Sequence, residues 1–395
     1  MQKSSLVGRL HGLDTLRSCA ILLVLMYHYK VVVSRADTFG IFSQIGWSGV
    51  DLFFVLSGYL IGNQIFASLR RQDFSLKNFY IRRFLRTLPS FYVVLAFYFL
   101  LPGVMGGSSP PSLWRFLSFT QNLGLHTGTA FSHAWSLCIE EQFYLILPAL
   151  ALLFVAGSRY LKKSMIYAWL LLLGLICGAI ALRAYLWQNY VQDAESFYGY
   201  IYYSSLARFD ELLPGVALAL IKNYHRPVWS RLQQWGNQFL LLGLGCVALM
   251  FYLFANYHYV EPQGYTYAMT TWGYSLMAIS FSLLVLAALS PSCLLHKFKI
   301  PGCSYLALWS YAIYLVHKAV FFILSAPIKQ AGIGLESALG LSLMLLCSLI
   351  AGYLLYALVE TPFMRLRERY FSSAAAPPAT PLAAPNPKRT TTSLT

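Results

Sequence analysis

Apolar residues run in blocks of about twenty along this chain, separated by short polar connections. A helix needs about 20 apolar residues to cross a hydrocarbon core roughly 30 Å thick. On that length the pattern predicts an all-α polytopic membrane protein of ten transmembrane helices, over 13–33, 45–67, 88–104, 135–156, 164–187, 202–222, 238–255, 268–289, 304–326 and 335–359. No internal repeat accompanies the pattern, so a solenoid is excluded. The first block starts too far in and runs too long for a cleaved signal peptide, and is expected to stay as a helix. From about Ser372 the chain turns to Ala, Pro and Thr, which cannot bury a core. Residues 372–395 therefore read as a disordered cytoplasmic tail, following a transmembrane domain over 1–371.

Composition agrees: 58% of residues are hydrophobic and 11% charged, against about a quarter charged in soluble domains. A water-soluble fold is excluded. The net charge of +15 would suggest nucleic-acid binding in a soluble protein, but here the positions of the charges explain it. Lys3 and Arg9, then Arg70 to Arg86, Arg159 to Lys163, Lys222 to Arg231, His296 to Lys299 and Arg365 to Arg369 occupy alternate connections. The opposite connections, 105–134, 188–201, 256–267 and 327–334, are nearly free of Lys and Arg. By the positive-inside rule both termini are cytoplasmic, as an even number of spans requires. Seven cysteines without a CxxC pair suggest neither a zinc knuckle nor a disulfide framework.

Of only 14 acidic residues, Asp14, Asp51, Glu140, Glu141, Asp210, Glu211 and Glu360 fall within or at the rim of these blocks. Ionisable groups at membrane depth cost several kcal/mol and mark functional sites by default. At about 1.5 Å rise per residue, His28, Asp51, Glu140 and Asp210 come out about 8, 9, 8 and 12 Å below the outer edge. His317, on the ninth block, is in the same outer half. Five titratable groups from five helices are thus expected in one layer. Arg17 stands eleven residues before His28, nearly the same helix face and about 16 Å lower, so both can line one cavity. Arg82 and Arg86, four apart, face one way on a helix, and with Arg83 their guanidinium forks suit phosphate oxygens.

Bland readings stand beside these. Arg82, Arg83 and Arg86 also serve as topogenic charges, and His317 as a hydrogen-bonding partner between helices. Asp210 beside Arg208 reads as a structural ion pair. Glu140 and Glu141 point about 100° apart, so one of them faces the cavity. His28, Asp51 and Glu140 lack HxxxH or HxxE spacing, and no metal is expected.

The constellation resembles membrane acyltransferase family 3, the O-acyltransferases of bacterial surface glycans. Leu13-Asp14-Thr15-Leu16-Arg17 followed by His28 is similar to the family's Arg-x10-His opening, and Gly49 to Ile61 to its second-span signature. Phe79 to Pro89, Trp135-Ser136-Leu137-Cys138-Ile139-Glu140-Glu141-Gln142-Phe143-Tyr144, Arg208 to Leu213, Ser310 to His317 and Val359-Glu360-Thr361-Pro362 continue the match. Some members carry an extra span and a fused SGNH esterase-like domain; neither is expected here, since the chain ends about 35 residues after its tenth block.

The resemblance implies a multi-pass protein of the bacterial cytoplasmic (inner) membrane that moves an acyl group, most simply acetyl, from cytosolic acetyl-CoA to a glycan hydroxyl. Arg17, Arg82, Arg83 and Arg86 would hold the donor; Trp135, Asp210 and His317 would contact substrate. His28 would act as general base, with Glu140 or Asp51 fixing its tautomer; an acyl-His28 intermediate remains a competing route. The implied partners are acyl-CoA, a glycan acceptor and the lipid bilayer, with no nucleic acid; a homo-oligomer is left open. The alternative class is a secondary transporter or glycan-lipid flippase, which should show an inverted repeat and a midplane site. The acceptor is not readable: O-antigen of lipopolysaccharide, exopolysaccharide, peptidoglycan precursor and small glycosides all remain.

The charge alternation is checked by Ser108→Cys in a cysteine-free background. An impermeant thiol reagent is expected to label it from the outer side; labelling only after the inner membrane is permeabilised would reverse the topology.

Overall fold

A computed structural model describes residues 10–158, 164–262 and 264–371. The tail from residue 372, together with Lys3, Arg9, Arg159, Lys162 and Lys163, lies outside the described residues. The principal helices are α1 (His11–Tyr29), α2 (Gly49–Arg71), α3 (Leu76–Leu100), α4 (Trp135–Ser158), α5 (Ser164–Tyr190), α6 (Leu213–Tyr224), α7 (Gly236–Tyr257), α8 (Tyr274–Leu289), α9 (Cys303–Gln330), α10 (Ala338–Leu355) and α11 (Thr361–Tyr370), joined by shorter helical turns. The described strands are β1 (Tyr259–Val260) and β2 (Gly264–Tyr265), an antiparallel pair that closes the link between α7 and α8. The chain is an all-α bundle spanning the membrane several times. Its helices α1, α2, α8 and α9 are packed together at the centre, and α5 lies largely outside, exposing apolar side chains such as Leu170, Leu171 and Leu173.

Among the described residues nine helical stretches are long and apolar enough to cross a membrane, where the apolar pattern predicts ten. The difference falls on 202–222. That stretch is broken into a π-helical turn at Tyr198–Tyr202, a short helix at Ser205–Arg208, a 3-10 turn at Phe209–Leu212 and then α6. Twelve residues of α6 rise only about 18 Å, short of the roughly 30 Å core. The cause is in the sequence: Arg208, Asp210 and Glu211 must reach buried partners, and Pro214 at the start of α6 supplies no backbone donor. Irregular backbone at this depth is tolerated when protein covers it. Here α2 provides the cover, because Gly58 and Gly215 let the two segments touch: a Cβ on Gly58 would lie 2.0 Å from the Leu212 carbonyl oxygen, and one on Gly215 2.1 Å from that of Val55.

A second boundary difference positions the basic cluster. The third span is expected from residue 88, but α3 begins twelve residues earlier at Leu76, capped by Ser75, whose Oγ accepts the backbone N–H of Asn78 at 3.3 Å. Pro89 sits within this helix without ending it. The segment from Asn78 to Arg86 is therefore a rigid extension of a membrane helix, with Arg82, Arg83 and Arg86 at fixed heights on it.

Gly58→Ala tests the close approach. Overpacking a rigid contact costs about 1–3 kcal/mol, so the purified protein is expected to melt several degrees lower. Gly174→Ala on α5, whose Cβ meets nothing within 4 Å, is expected to leave the melting temperature unchanged. Equal melting of both variants would mean that α2 and the broken segment do not bear on each other.

Candidate active site

Three histidines meet where α1, α9 and the 3-10 turn Ser132–Ala134 converge. His317 Nδ1 lies 2.8 Å from the Tyr314 carbonyl oxygen and 3.2 Å from that of Ile313. Both are pure acceptors, so Nδ1 carries the proton, and in the neutral ring Nε2 presents its lone pair. That nitrogen is 3.1 Å from His28 Nδ1, which also lies 3.1 Å from the Val24 carbonyl oxygen. With two acceptors in front of it, His28 Nδ1 is the donor. His28 Nε2 is then the unprotonated nitrogen, and it has no hydrogen-bond partner among the described residues.

The third ring, His133, escapes sequence reasoning. It is 97% buried, with its ring centroid 6.2 Å from that of His28 and 5.2 Å from that of His317. Its Nε2 donates to the Leu315 carbonyl at 3.2 Å, which leaves Nδ1 as a buried lone pair without a partner. Tyr314 ties the turn to α9 and α4: its hydroxyl donates to the His133 carbonyl at 2.6 Å and lies 2.7 Å from Ser136 Oγ. The sequence signal is a histidine two residues ahead of Trp135, in a connection whose lack of Lys and Arg marks it only as an outward-facing link.

The carboxylates expected in one layer with the histidines take other partners. Glu140 accepts from Ser57 Oγ at 3.1 Å and from the Tyr144 hydroxyl at 2.8 Å, and Arg83 Nη2 is 3.7 Å from it. Arg83 Nε lies 3.5 Å from Glu141, and its guanidinium covers the Tyr144 ring at 3.8 Å. Both glutamates thus meet Arg83, although they are adjacent on the helix. Asp51 is committed elsewhere: Arg208 Nη2 donates to it at 2.7 Å, and the same guanidinium binds Glu211. The expectation that Glu140 or Asp51 orients His28 is therefore corrected. The nitrogen they would have held is held by His317 and the Val24 carbonyl.

Asp210 pairs with Arg183 of α5, not with Arg208: Nη1 and Nη2 reach it at 2.7 and 3.2 Å, and Ser275 Oγ donates to it at 2.6 Å. With both partners at zero exposure, Asp210 is closed off from any substrate. Arg183, a lone charge deep in an apolar block, had to find an acid; the sequence could not say which. Trp135 is likewise enclosed, 4% exposed, with its ring against Tyr202 and Tyr203 and 5.3 Å from the Arg208 guanidinium. His317 is fully buried, and its contact with the site is the nitrogen facing His28.

At the basic end of the bundle a cavity of about 340 Å³ is lined by Arg17, Arg82, Arg83, Arg86 and Arg367 together with Gln64. Arg367 of α11, whose position in the sequence marks it only as a topogenic charge, joins this lining, and its Nε is buried without a partner among the described residues. The Arg82 guanidinium also donates to the Phe371 carbonyl at 2.9 Å, which draws α11 over the cavity. A narrower chamber of about 90 Å³ shares Arg17, Ser57, Arg83 and Arg86 with it and extends to Glu140, Ser136 and Tyr314. The two cavities share four lining residues, and the inner one reaches the tyrosine that holds the histidine turn.

An arginine-lined cavity beside a chamber that reaches Glu140 and Tyr314, inside a helical bundle, has the donors that phosphate oxygens require. The chain belongs to acyltransferase family 3: residues 10–357 match its profile, described as an acyltransferase domain. It is 28% identical over 376 residues to the peptidoglycan O-acetyltransferase OatA of Listeria monocytogenes, covering 90% of this chain and 56% of that protein. It is 28% identical over 386 residues to YrhL of Bacillus subtilis, provisionally named a peptidoglycan O-acetyltransferase, covering 91% of this chain and 56% of that one. An uncharacterized protein of Haemophilus influenzae is 30% identical over 221 residues, covering 51% of this chain and 87% of its own length. The chain thus spans little more than half the length of the first two relatives. No solved structure is significantly similar to it.

The ion pairs around the site have a testable cost. Breaking a buried pair from one side typically costs about 3–5 kcal/mol, so Arg183→Met is expected to lower the yield and melting temperature of the folded protein sharply. Arg183→Met combined with Asp210→Leu removes both charges and is expected to recover much of that loss. A double variant as unstable as the single one would show that the pair's charges are not what the bundle needs.

Proposed function

We propose that the protein is an integral-membrane O-acyltransferase that moves an acyl group, acetyl in the simplest case, from cytosolic acyl-CoA to a hydroxyl of a cell-surface or exported glycan. The observation that carries this reading is the proton order of the histidine pair. His317 Nδ1 binds backbone carbonyls and His28 Nδ1 donates to His317 Nε2; half-buried His28 is left with a lone pair on Nε2, which is what a general base requires.

The chemistry then runs as follows. The phosphates of CoA rest on Arg82, Arg86 and Arg367, and its extended thiol arm passes Arg17 into the narrower chamber toward Ser136 and Tyr314. His28 Nε2 takes the proton of the acceptor hydroxyl as the oxygen attacks the thioester carbonyl carbon. The carbon–sulfur bond breaks, and the proton passes to the departing CoA sulfur. His317 stabilises the imidazolium formed in between by accepting from its Nδ1–H. Arg83 offsets one of the two charges of Glu140 and Glu141, and Arg17 and Arg86 line the same chamber, so the thiol arm meets no net negative charge there. Peptidoglycan acetylation, named for OatA, makes a wall glycan one acceptor class to try; lipopolysaccharide O-antigen is another.

His28→Ala is expected to insert normally, to bind CoA as the native protein does, and to transfer acyl groups about 10²–10⁴-fold more slowly, the usual loss for a positioned general base. Arg86→Ala is expected to raise KM for acyl-CoA with little change in kcat, because phosphate contacts are alike in ground and transition states. The measurement is mass spectrometry of acceptor glycans incubated with the purified protein and acetyl-CoA. Near-native turnover by folded His28→Ala would sink the mechanism.

A further inference from the structure

Lys318 follows His317 on α9 and is not needed by the proton transfer described above. Its Nζ donates to Ser132 Oγ at 3.3 Å, on the turn that carries His133, and the side chain is half-buried. Among the described residues no carboxylate lies within 4.0 Å of it. Lys30, just past the end of α1 and two residues beyond His28, is different: it is neutralised by Asp37. An ammonium left without a counter-charge at membrane depth is costly, and its remaining donors call for an anion.

The same face of α9 leads outward. Lys318, Phe322, Ser325 and Lys329 stand at i, i+4, i+7 and i+11, which places them in one stripe. Phe322, Ser325 and Lys329 line a cavity of about 480 Å³ together with Val32 and Val104. Val32 is four residues beyond His28, as Phe322 is four beyond Lys318, so this cavity lies one turn from the histidines along both helices. It is separate from the arginine-lined passage and shares no residue with it. Its lining holds an exposed lysine, Lys329, and no acid. Two lysines on one stripe, in the half of the protein where connections are nearly free of Lys and Arg, do not serve topology.

We propose that this outer cavity admits the acceptor and that Lys318 binds an oxyanion on it, so that the acceptor is an acidic glycan, carrying a carboxylate or phosphate near the hydroxyl that is acylated. This rests on the reading of the protein as a glycan O-acyltransferase. Lys329 draws the anion into the cavity; Lys318 holds it beside His28 and fixes which hydroxyl faces Nε2. A neutral sugar leaves the Lys318 ammonium unpaired and is disfavoured for that reason.

The test uses the full chain in phosphatidylcholine nanodiscs and two probes, a hexuronic-acid oligosaccharide and the same oligosaccharide with its carboxyl groups reduced to hydroxymethyl. A sugar-phosphate analogue is a third. Binding is titrated directly, and CoA binding is measured on the same samples. The native protein is expected to bind an acidic probe tighter than the reduced one by about tenfold or more, the size of one charge-assisted hydrogen bond. Lys318→Gln, which keeps a donor for Ser132, is expected to lose that preference, and Lys318→Arg to retain part of it. Whether the carboxylate or the phosphate probe binds tighter identifies the anion. Equal binding of acidic and reduced probes by the native protein overturns the proposal, as does a preference that survives Lys318→Gln. A variant whose kcat falls equally for both probes while the preference stays would make Lys318 a stabiliser of the reacting oxyanion instead, and also overturns it. Phosphatidylglycerol nanodiscs that abolish the preference would assign the lysines to lipid headgroups, again against the proposal. Failure of the native protein to bind CoA would strike the acyl-donor reading, whereas the oligosaccharide titrations test the anion subsite alone.

Discussion

The ion pairs of Arg208 with Asp51 and Glu211, and of Arg183 with Asp210, are closed to solvent where α2, α5 and α8 meet the broken segment before α6. A guanidinium in a bilayer interior is tolerated only when acceptors surround it. Arg183 meets the Asp210 carboxylate, the Ser275 hydroxyl and the Thr271 carbonyl; Arg208 meets two carboxylates and has the Tyr274 ring 3.8 Å beneath it. Satisfying these groups interrupts the helix that the apolar pattern would continue from 202 to 222. The break in turn requires the glycine contacts that let α2 cover it. Much of the centre of the bundle follows from that one cost.

The same accounting separates structure from chemistry. Asp51 and Asp210, although titratable and deep, are spent on compensation, and Glu140 is tied to Ser57, Tyr144 and Arg83. Among the described residues, what stays uncommitted around the histidines is small: the free nitrogen of His28, the buried lone pair of His133 and the remaining donors of the Lys318 ammonium. Orientation of the proposed base comes from another histidine fixed by backbone carbonyls, not from an acid.

The two cavities give the protein a direction. Five arginines gather at one end from α1, α3 and α11, and the lysine stripe of α9 rises at the other, with the histidines between. Under the proposed function, such an arrangement lets a donor and an acceptor approach one pair of rings from opposite sides without sharing a binding surface. It also gives α11 a place, since the bond from Arg82 to Phe371 holds this short basic helix across the arginine-lined cavity.

Block length and charge alternation were enough, without coordinates, to determine an all-α membrane protein. Helical spacing was enough to put Arg82 and Arg86 on one cavity wall, because that property is local to one segment and obeys a fixed period, whereas Arg17 lines the same cavity without His28. Sequence also marked His28 and His317, since ionisable residues within apolar blocks are conspicuous. It could not pair the charges. Arg208 is adjacent in the chain to acids it does and does not bind, Arg183 reaches across 27 residues to Asp210, and Asp51 is 157 residues from its arginine. Depth along a helix is a single coordinate, so it grouped five titratable residues into one layer. Only packing assigns the rotation of each helix and its neighbours, and that divided the layer into a histidine pair, a glutamate–arginine group and two sealed ion pairs. The contact of His133 with the other rings and the stripe joining Lys318 to the outer cavity were likewise decided by which helices lie side by side.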